Sequence, residues 1–461
     1  MTNVVLFTVD DMNGDTPGCF GGPSEVTPRI DAFAAEGMRF VHAHVTIAVC
    51  QPSRSVMMTG RYPHRSGALG FLPIDDGVPV LTDSLRAAGY RCGIVGKVDH
   101  IEPIERMGWH LITYGDELAS GRDSDRYREV VRDFIDDAGG EDAPFFLMVN
   151  AHDPHRPFHG SDEERGIYDS ETLATIPDPS HVYEAGDWPV PGFLPDLPEI
   201  RQEVAEYLSS CRRADDVFGE VMDELESSGV ADDTLVIFLS DNGMAFPFAK
   251  TNCYLQSTRT PWIVRWPGRV VPGSVDDEHF IEGIDLMPTV LDALGLAIPD
   301  GVDGRSSLPL LEGDATYGRD RIVTVFHETA LGALMREIGE DPWHAQFEMR
   351  CVQDAGWGYI WNAWSDGEKA FSNESQNGRS WAAMVAASAN DPAVQARTRF
   401  FTLRAREELY DLSNDPDGLK NLIAATESAS ILAELRSHLL EWMRRTGDPL
   451  LGRYDAEFVR G

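Results

Sequence analysis

Hydrophobic residues in this chain fall into short unbroken runs, and several of these stop at ionisable groups. Val4-Val5-Leu6-Phe7-Thr8-Val9 ends in Asp10-Asp11, and Cys92-Gly93-Ile94-Val95-Gly96 ends in Lys97 and His100. Phe145-Phe146-Leu147-Met148-Val149 leads to His152, Asp153 and His155. Leu235-Val236-Ile237-Phe238-Leu239 leads to Asp241-Asn242-Gly243. Runs of Val, Ile and Phe without alternation predict strands buried on both faces, as in a parallel sheet covered by helices. Ligands in such sheets bind beyond the carboxyl ends of the strands, so the polar groups ending the four runs are expected to meet at one edge.

Between the runs the period changes to that of helices. Pro28 to Glu36 carries apolar residues at helical spacing and stops before Gly37. Ala205 to Leu225 is a long amphipathic stretch of mixed charge that runs out near Gly229, and proline-dense Pro177 to Pro198 predicts a long loop. Past residue 345 the pattern changes again. Arg350 to Gln353, Asp354-Ala355-Gly356 and Trp357 to Trp361 predict a β-hairpin, Glu408 to Leu412 a further strand, and Ile431 to Met443 a closing helix. The expected architecture is an α/β unit over residues 1–345, its mostly parallel sheet sandwiched by helices. A smaller α+β unit of antiparallel sheet plus helix follows over residues 346–461.

Charge narrows the partners. The chain has 461 residues, with 76 acidic against 39 basic side chains and a formal net charge of −37. That balance disfavours nucleic acid or an anionic membrane as partner. It suits concentrated salt, where the Debye length shrinks to about 3 Å and self-repulsion is screened; an ordinary acidic protein from a GC-rich genome is the competing explanation. Four basic residues are lysine: Lys97, Lys250, Lys369 and Lys420. Where arginine serves nearly everywhere, a retained lysine is expected to present a compact point charge that arginine cannot. No apolar run reaches membrane-spanning length, and the start Met1-Thr2-Asn3 shows no basic region or cleavage site, so a cytoplasmic location is expected. The six cysteines show no zinc spacing, and five of them are expected to be small core residues.

Asp10, Asp11, Asp241 and Asn242 offer only oxygen ligands, which suits calcium or magnesium and not zinc. A divalent ion would also relieve the repulsion among three carboxylates at one edge. The plainer alternative is that Asp10-Asp11 caps a loop and Asp241-Asn242-Gly243 is a turn. The remaining stretch with chemical content is Cys50-Gln51-Pro52-Ser53-Arg54, followed by Thr59-Gly60-Arg61. On its own it reads as a buried cysteine before a helix, with Pro and Ser as start signals.

Taken together, these motifs resemble the type I, formylglycine-dependent sulfatases of the alkaline phosphatase superfamily, and the resemblance runs along essentially the whole chain. Gly96-Lys97, His152-Asp153-Pro154-His155 and Ser240-Asp241-Asn242-Gly243 occur in that family's order, as does Glu408-Leu409-Tyr410-Asp411-Leu412 near the end. Among its branches the chain is most similar to the heparan N-sulfatases, through His152-Asp153-Pro154-His155-Arg156, Asp233 to Phe238, Phe246-Pro247 and Arg404-Ala405-Arg406. The resemblance implies an alkaline-phosphatase-like fold. It implies that a formylglycine-generating enzyme oxidises Cys50 to an aldehyde whose hydrate attacks sulfur, and that calcium or magnesium is held by Asp10, Asp11, Asp241, Asn242 and position 50. Lys97, Lys250 and Arg54 would stabilise the sulfuryl oxygens, His152 would protonate the leaving group, and His100 would act as base when sulfate is expelled. The implied substrate is a sulfated sugar or another small sulfate ester, cleaved at O–S or N–S, with His155, Arg156, His327, Glu328 and Arg350 as sugar contacts. The chain departs from the family in two places. Lys97 and His100 are three residues apart, a spacing like that of the iduronate sulfatase branch, and an insertion separates His327-Glu328 from Met349-Arg350. A phosphonate or phosphate ester hydrolase of the same superfamily is the nearest alternative, and a non-catalytic binder of sulfated glycans is a more distant one.

Overall fold

The four apolar runs that end in polar residues are strands lying side by side. The computed structural model describes residues 2–141, 143–340 and 345–459. Its larger sheet comprises β1 (Asn3–Val9), β2 (Met38–His44), β3 (Arg91–Val95), β4 (Leu111–Thr113), β5 (Phe145–Asn150), β6 (Thr234–Ser240), β7 (Trp262–Arg265) and β8 (Ser274–Glu282), in the order β4-β3-β5-β1-β6-β7-β2-β8. β3, β5, β1 and β6 run parallel, whereas β7 is antiparallel to both β6 and β2. Register brings the strand ends level: Val9 pairs with Ser240, Thr8 with Asn150, and Val95 with Val149. Asp10, Lys97, His152 and Asp241 therefore emerge at one edge, as the run endings predict.

Alternation along β1 supplies two cores. Val5, Phe7 and Val9 pack on one face with Phe33, Phe134 and Phe218, and Val4 and Leu6 on the other with Met57, Leu85 and Met287. Each such side chain contributes about 1.5–3 kcal/mol by leaving water. α1 (Pro28–Glu36) matches the sequence prediction. The long amphipathic helix begins earlier than its periodicity suggests, spanning Pro198–Ser227. Pro198 is its first residue, because a helix start has no use for the N–H that proline lacks.

The smaller sheet is antiparallel: β9 (Arg321–Glu328), β10 (Gln346–Asp354), β11 (Trp357–Asn362) and β12 (Glu407–Asp411), in the order β12-β11-β10-β9. The β10–β11 hairpin turns where predicted, with Asp354 accepting from the amides of Gly356 (2.9 Å) and Trp357 (2.8 Å). The sheet takes its first strand from upstream of residue 346, since β9 pairs with β10 along most of its length. The helix Ala429–Thr446 closes it with Leu435, Leu439 and Trp442 buried. The two sheets are tied together, because Val325 of β9 donates its amide to the carbonyl of Thr46 (2.8 Å), just past the end of β2. In the segment inserted after β9 lies a helix, Ala330–Glu337, and residues 341–344 of that segment lie outside the described residues. All six cysteines are free; Cys19 is half-buried and is no core residue, while the other five are buried. No helix among the described residues is long and apolar enough to cross a membrane.

Candidate active site

α2 (Cys50–Thr59) starts at Cys50, and each of its ten residues is buried. Gly60 ends it at φ +62°, a left-handed cap that explains a glycine after Thr59. Cys50 therefore sits at the positive end of the helix, where its thiol donates to Asp10 Oδ1 at 3.2 Å and lies 3.9 Å from Asp11 Oδ1. Arg54, one turn on, faces the same way. Its Nη2 and Nε lie 2.9 and 3.2 Å from Asp241 Oδ2, and its Nη1 donates to Thr8 Oγ1 (2.8 Å) and Asn150 Oδ1.

Each carboxylate at the edge has its own cation. Lys97 Nζ is 2.5 Å from Asp10 Oδ2, Lys250 Nζ is 2.8 Å from Asp11 Oδ1, and Arg54 holds Asp241. Asp11 (φ +68°) and Lys97 (φ +49°) adopt left-handed backbone, each at a cost of about 1–2 kcal/mol, as is common where a side chain must be aimed. Burial opposes ionisation of Asp10, yet Lys97, His155, Arg54 and Lys250 hold its carboxyl well below the usual range. Burial, then Asp10, pushes Asp241 well above that range, and Asp11 is raised by burial. Burial, then Asp10, also pushes the Cys50 thiol well up, so the unmodified thiol is a poor nucleophile here.

These residues fit a hard cation. Asn242 Nδ2 donates to Asp11 Oδ1 (2.6 Å) and Gly243 O (3.0 Å), which leaves its Oδ1 buried among carboxylates with no partner. An orphaned buried acceptor is costly unless something positive meets it. Ligand atoms of Asp10, Asp11, Cys50 and His155 also lie within 4.8 Å of one another. With Asp241 and the Asn242 side chain beside them, oxygen donors outnumber the one sulfur and one nitrogen, which suits calcium or magnesium.

His152 and His155 stand over this cluster with ring centroids 5.0 Å apart. His155 Nδ1 donates to Arg156 O at 2.6 Å, and its Nε2 is 3.9 Å from Asp11 Oδ2. Burial, then Lys97, depresses His155 to about 3; burial, then Arg122, depresses His152; burial, then Lys97, depresses His100. All three rings are neutral at pH 7. His100 Nδ1 is buried without a partner, and its ring packs edge-on to Phe71 at 5.5 Å.

Four of the five expected sugar contacts are engaged with other side chains or buried. Arg156 pairs with Glu203 (2.7 Å) and Glu163 (3.2 Å) and stacks on Phe158, so it anchors the loop to the long helix. Arg350 is buried against Asp448 (2.7 Å) and Phe326 O (3.2 Å). His327 is buried beside Arg350, and Glu328 is chelated by the Arg336 guanidinium. His155 alone faces the carboxylates.

Other residues join the site without having been expected. Asn150 accepts from Arg54 and from Thr8 Oγ1 (2.7 Å), and donates to Val95 O (3.2 Å) and Gly96 O (3.0 Å), linking the arginine to the turn that carries Lys97. Its signal was available: Thr8 and Asn150 are polar residues inside strands otherwise buried on both faces. Glu374, whose Oε1 is 3.0 Å from Lys250 Nζ, had none. It borders a cleft of about 270 Å³ that opens beside Val49 and Thr251, the neighbours of Cys50 and Lys250.

The model of the family described as Sulfatase matches residues 2–296. Human N-sulphoglucosamine sulphohydrolase is 31% identical, over 97% of this chain and 91% of its own. A structure solved in complex with its substrate D-glucosamine-2-N,6-O-disulfate is similar at a TM-score of 0.68 and 19% identity, over 97% of this chain and 98% of that one. The phosphonate monoester hydrolase of Agrobacterium radiobacter is similar at a TM-score of 0.69 and 19% identity, over 97% of this chain and 96% of that one. At such identities the likeness is one of fold, and it is the alkaline-phosphatase-like fold expected from the motifs.

Proposed function

The chain belongs to the sulfatase family, and from that premise we propose that it releases sulfate from a sulfated carbohydrate, with N-sulfoglucosamine as its substrate. Formylglycine at position 50 supplies the nucleophile, and calcium held by Asp10, Asp11, Asp241 and Asn242 supplies the positive charge that polarises the sulfo group. The reading is carried by the contact of the Cys50 thiol, at a helix start, with the Asp10 carboxylate that Lys97 also holds.

Charge balance explains why an anion is drawn in. Three carboxylates and three cations cancel at the strand ends and Glu374 on Lys250 adds one negative charge, so a bound dication would leave the cluster with an excess of about one positive charge. Lys97 and Lys250 flank position 50 and stabilise the sulfuryl oxygens as the bond to sulfur breaks. Arg54 keeps its grip on Asp241 and Asn150 and so holds the start of α2 in place. His152 is neutral in the free protein because burial and nearby cations oppose its charge. An arriving sulfo group acts in the opposite sense, so His152 takes up a proton with the substrate and delivers it to the departing amine or alcohol. His100, neutral and with Nδ1 unpartnered, is the base that restores position 50.

Two measurements test this. Mass spectrometry of the Cys50 peptide from protein made in its native host is expected to show the aldehyde; thiol alone rejects the mechanism. The converted enzyme is then assayed on N-sulfoglucosamine, O-sulfated monosaccharides and an aryl phosphonate. Sulfate release from O-sulfated sugars alone rejects the N-sulfo assignment, and a faster phosphonate reaction rejects the sulfatase assignment.

A further inference from the structure

The cleft beside Cys50 carries a carboxylate although the substrate is itself an anion. Glu374 places Oε1 3.0 Å from Lys250 Nζ, and about a third of its side chain (35%) stays exposed to the cleft. Lys250 does not need it for neutralisation, because Asp11 already lies 2.8 Å away. The backbone that carries it is held in place. Asn373, the residue before it, donates from its side chain to Thr251 Oγ1, accepts from Ser375 Oγ (2.7 Å), and donates its amide to Gln376 Oε1 (2.9 Å). The rest of the wall is uncharged: Phe71 and Leu331 are apolar, and Thr329, Ser372 and Asn377 are neutral polar groups. No arginine or lysine is among the described residues lining the cleft.

We propose that Glu374 is a charge filter that selects sugars bearing a single sulfo group. Its carboxylate accepts hydrogen bonds from ring hydroxyls, Phe71 and Leu331 cover the apolar face of the ring, and a second sulfate or a carboxylate meets like charge with no cation in the wall beyond the buried, already paired Lys250. This specificity rests on the reading of the chain as a sulfatase acting on sugars. At a separation of roughly 6 Å in a partly solvated cleft, like charges of this kind cost about tenfold in affinity.

The test compares kcat/KM for N-sulfo-D-glucosamine and D-glucosamine-2-N,6-O-disulfate, using enzyme whose conversion at position 50 has been confirmed by mass spectrometry. The wild type is expected to prefer the monosulfated sugar by about tenfold or more, and Glu374→Gln to bring the ratio within about twofold of one. Asn377→Arg, which adds a cation to the same wall, is expected to raise kcat/KM for the disulfate while Glu374 remains. If Glu374 only steadies Lys250, Glu374→Gln slows both sugars equally and the ratio stands, which overturns the filter. A wild-type ratio near one overturns it as well. Absence of turnover on both sugars overturns it together with the N-sulfo assignment, which separates the two failures.

Discussion

Asp10, Asp11 and Asp241 would repel one another strongly at one sheet edge, and the structure answers with Lys97, Lys250 and Arg54 in one-to-one pairs. The protein is therefore expected to stay folded when stripped of divalent ions. Dialysis against a chelator should abolish sulfate release while circular dichroism still shows a cooperative melt, and adding calcium or magnesium should restore turnover. Replacing Lys97 with alanine removes one stabilising charge from the sulfuryl oxygens and is expected to lower kcat/KM by about 100-fold or more, read in a sulfate-release assay. Glu282 offers a pH test away from the site. Burial raises it from 4.5 to about 7, with Arg319 3.7 Å away opposing. Between those values the folded state binds the extra proton, so stability falls as pH rises, and above about 7 the full loss is felt. Glu282→Gln lacks that loss. Its Tm relative to wild type should be higher at pH 8 than at pH 4.5, by an amount corresponding to at most about 3 kcal/mol. At this scale the sequence disclosed residue types well and side-chain directions poorly. Asp10, Cys50, Lys97 and Asp241 announce themselves by ending apolar runs or opening a motif. Arg156 and Arg350 look equally available in sequence, and only the positions of Glu203 and Asp448 show that both are spoken for.

Elements follow the same division. β1, β3, β5 and β6 were legible because a strand buried on both faces must be apolar throughout, and α1 because its period and its closing glycine agree. The start of the long helix was hidden by Pro198, which suits a loop and a first helical residue equally well. β9 was missed as a partner of the hairpin because strand pairing across the inserted helix leaves no local mark. The turn after β3 shows how an element end aims a catalytic group. Gly96 has φ +71°, and a Cβ there would lie 2.6 Å from the Tyr127 hydroxyl and closer still to Asn150 O. Gly96→Ala is expected to shift Lys97, lowering kcat/KM by about tenfold or more and stability by about 1–2 kcal/mol, measured by assay and by urea titration.

Across the whole molecule, Asp10, Lys97, His152 and Asp241 follow strand ends of the large sheet and Cys50 and Arg54 lie on α2, whereas Thr329, Leu331 and Glu374 reach the cleft from segments around the small sheet. The net charge of −37 belongs to a chain with four lysines, two of them turned into the site, and its self-repulsion should weaken as salt is added. The Tm is expected to rise between about 0.1 and 2 M KCl, followed by calorimetry; a flat or falling trend would assign the acidity to genome composition. A last consequence concerns α2, where no residue reaches the surface. An enzyme converting the thiol at its first position would have no way in once the chain has collapsed around it, so conversion is expected on the nascent chain. Protein that folds unconverted is then expected to keep its thiol when the oxidising partner is supplied afterwards, read by mass spectrometry of the Cys50 peptide.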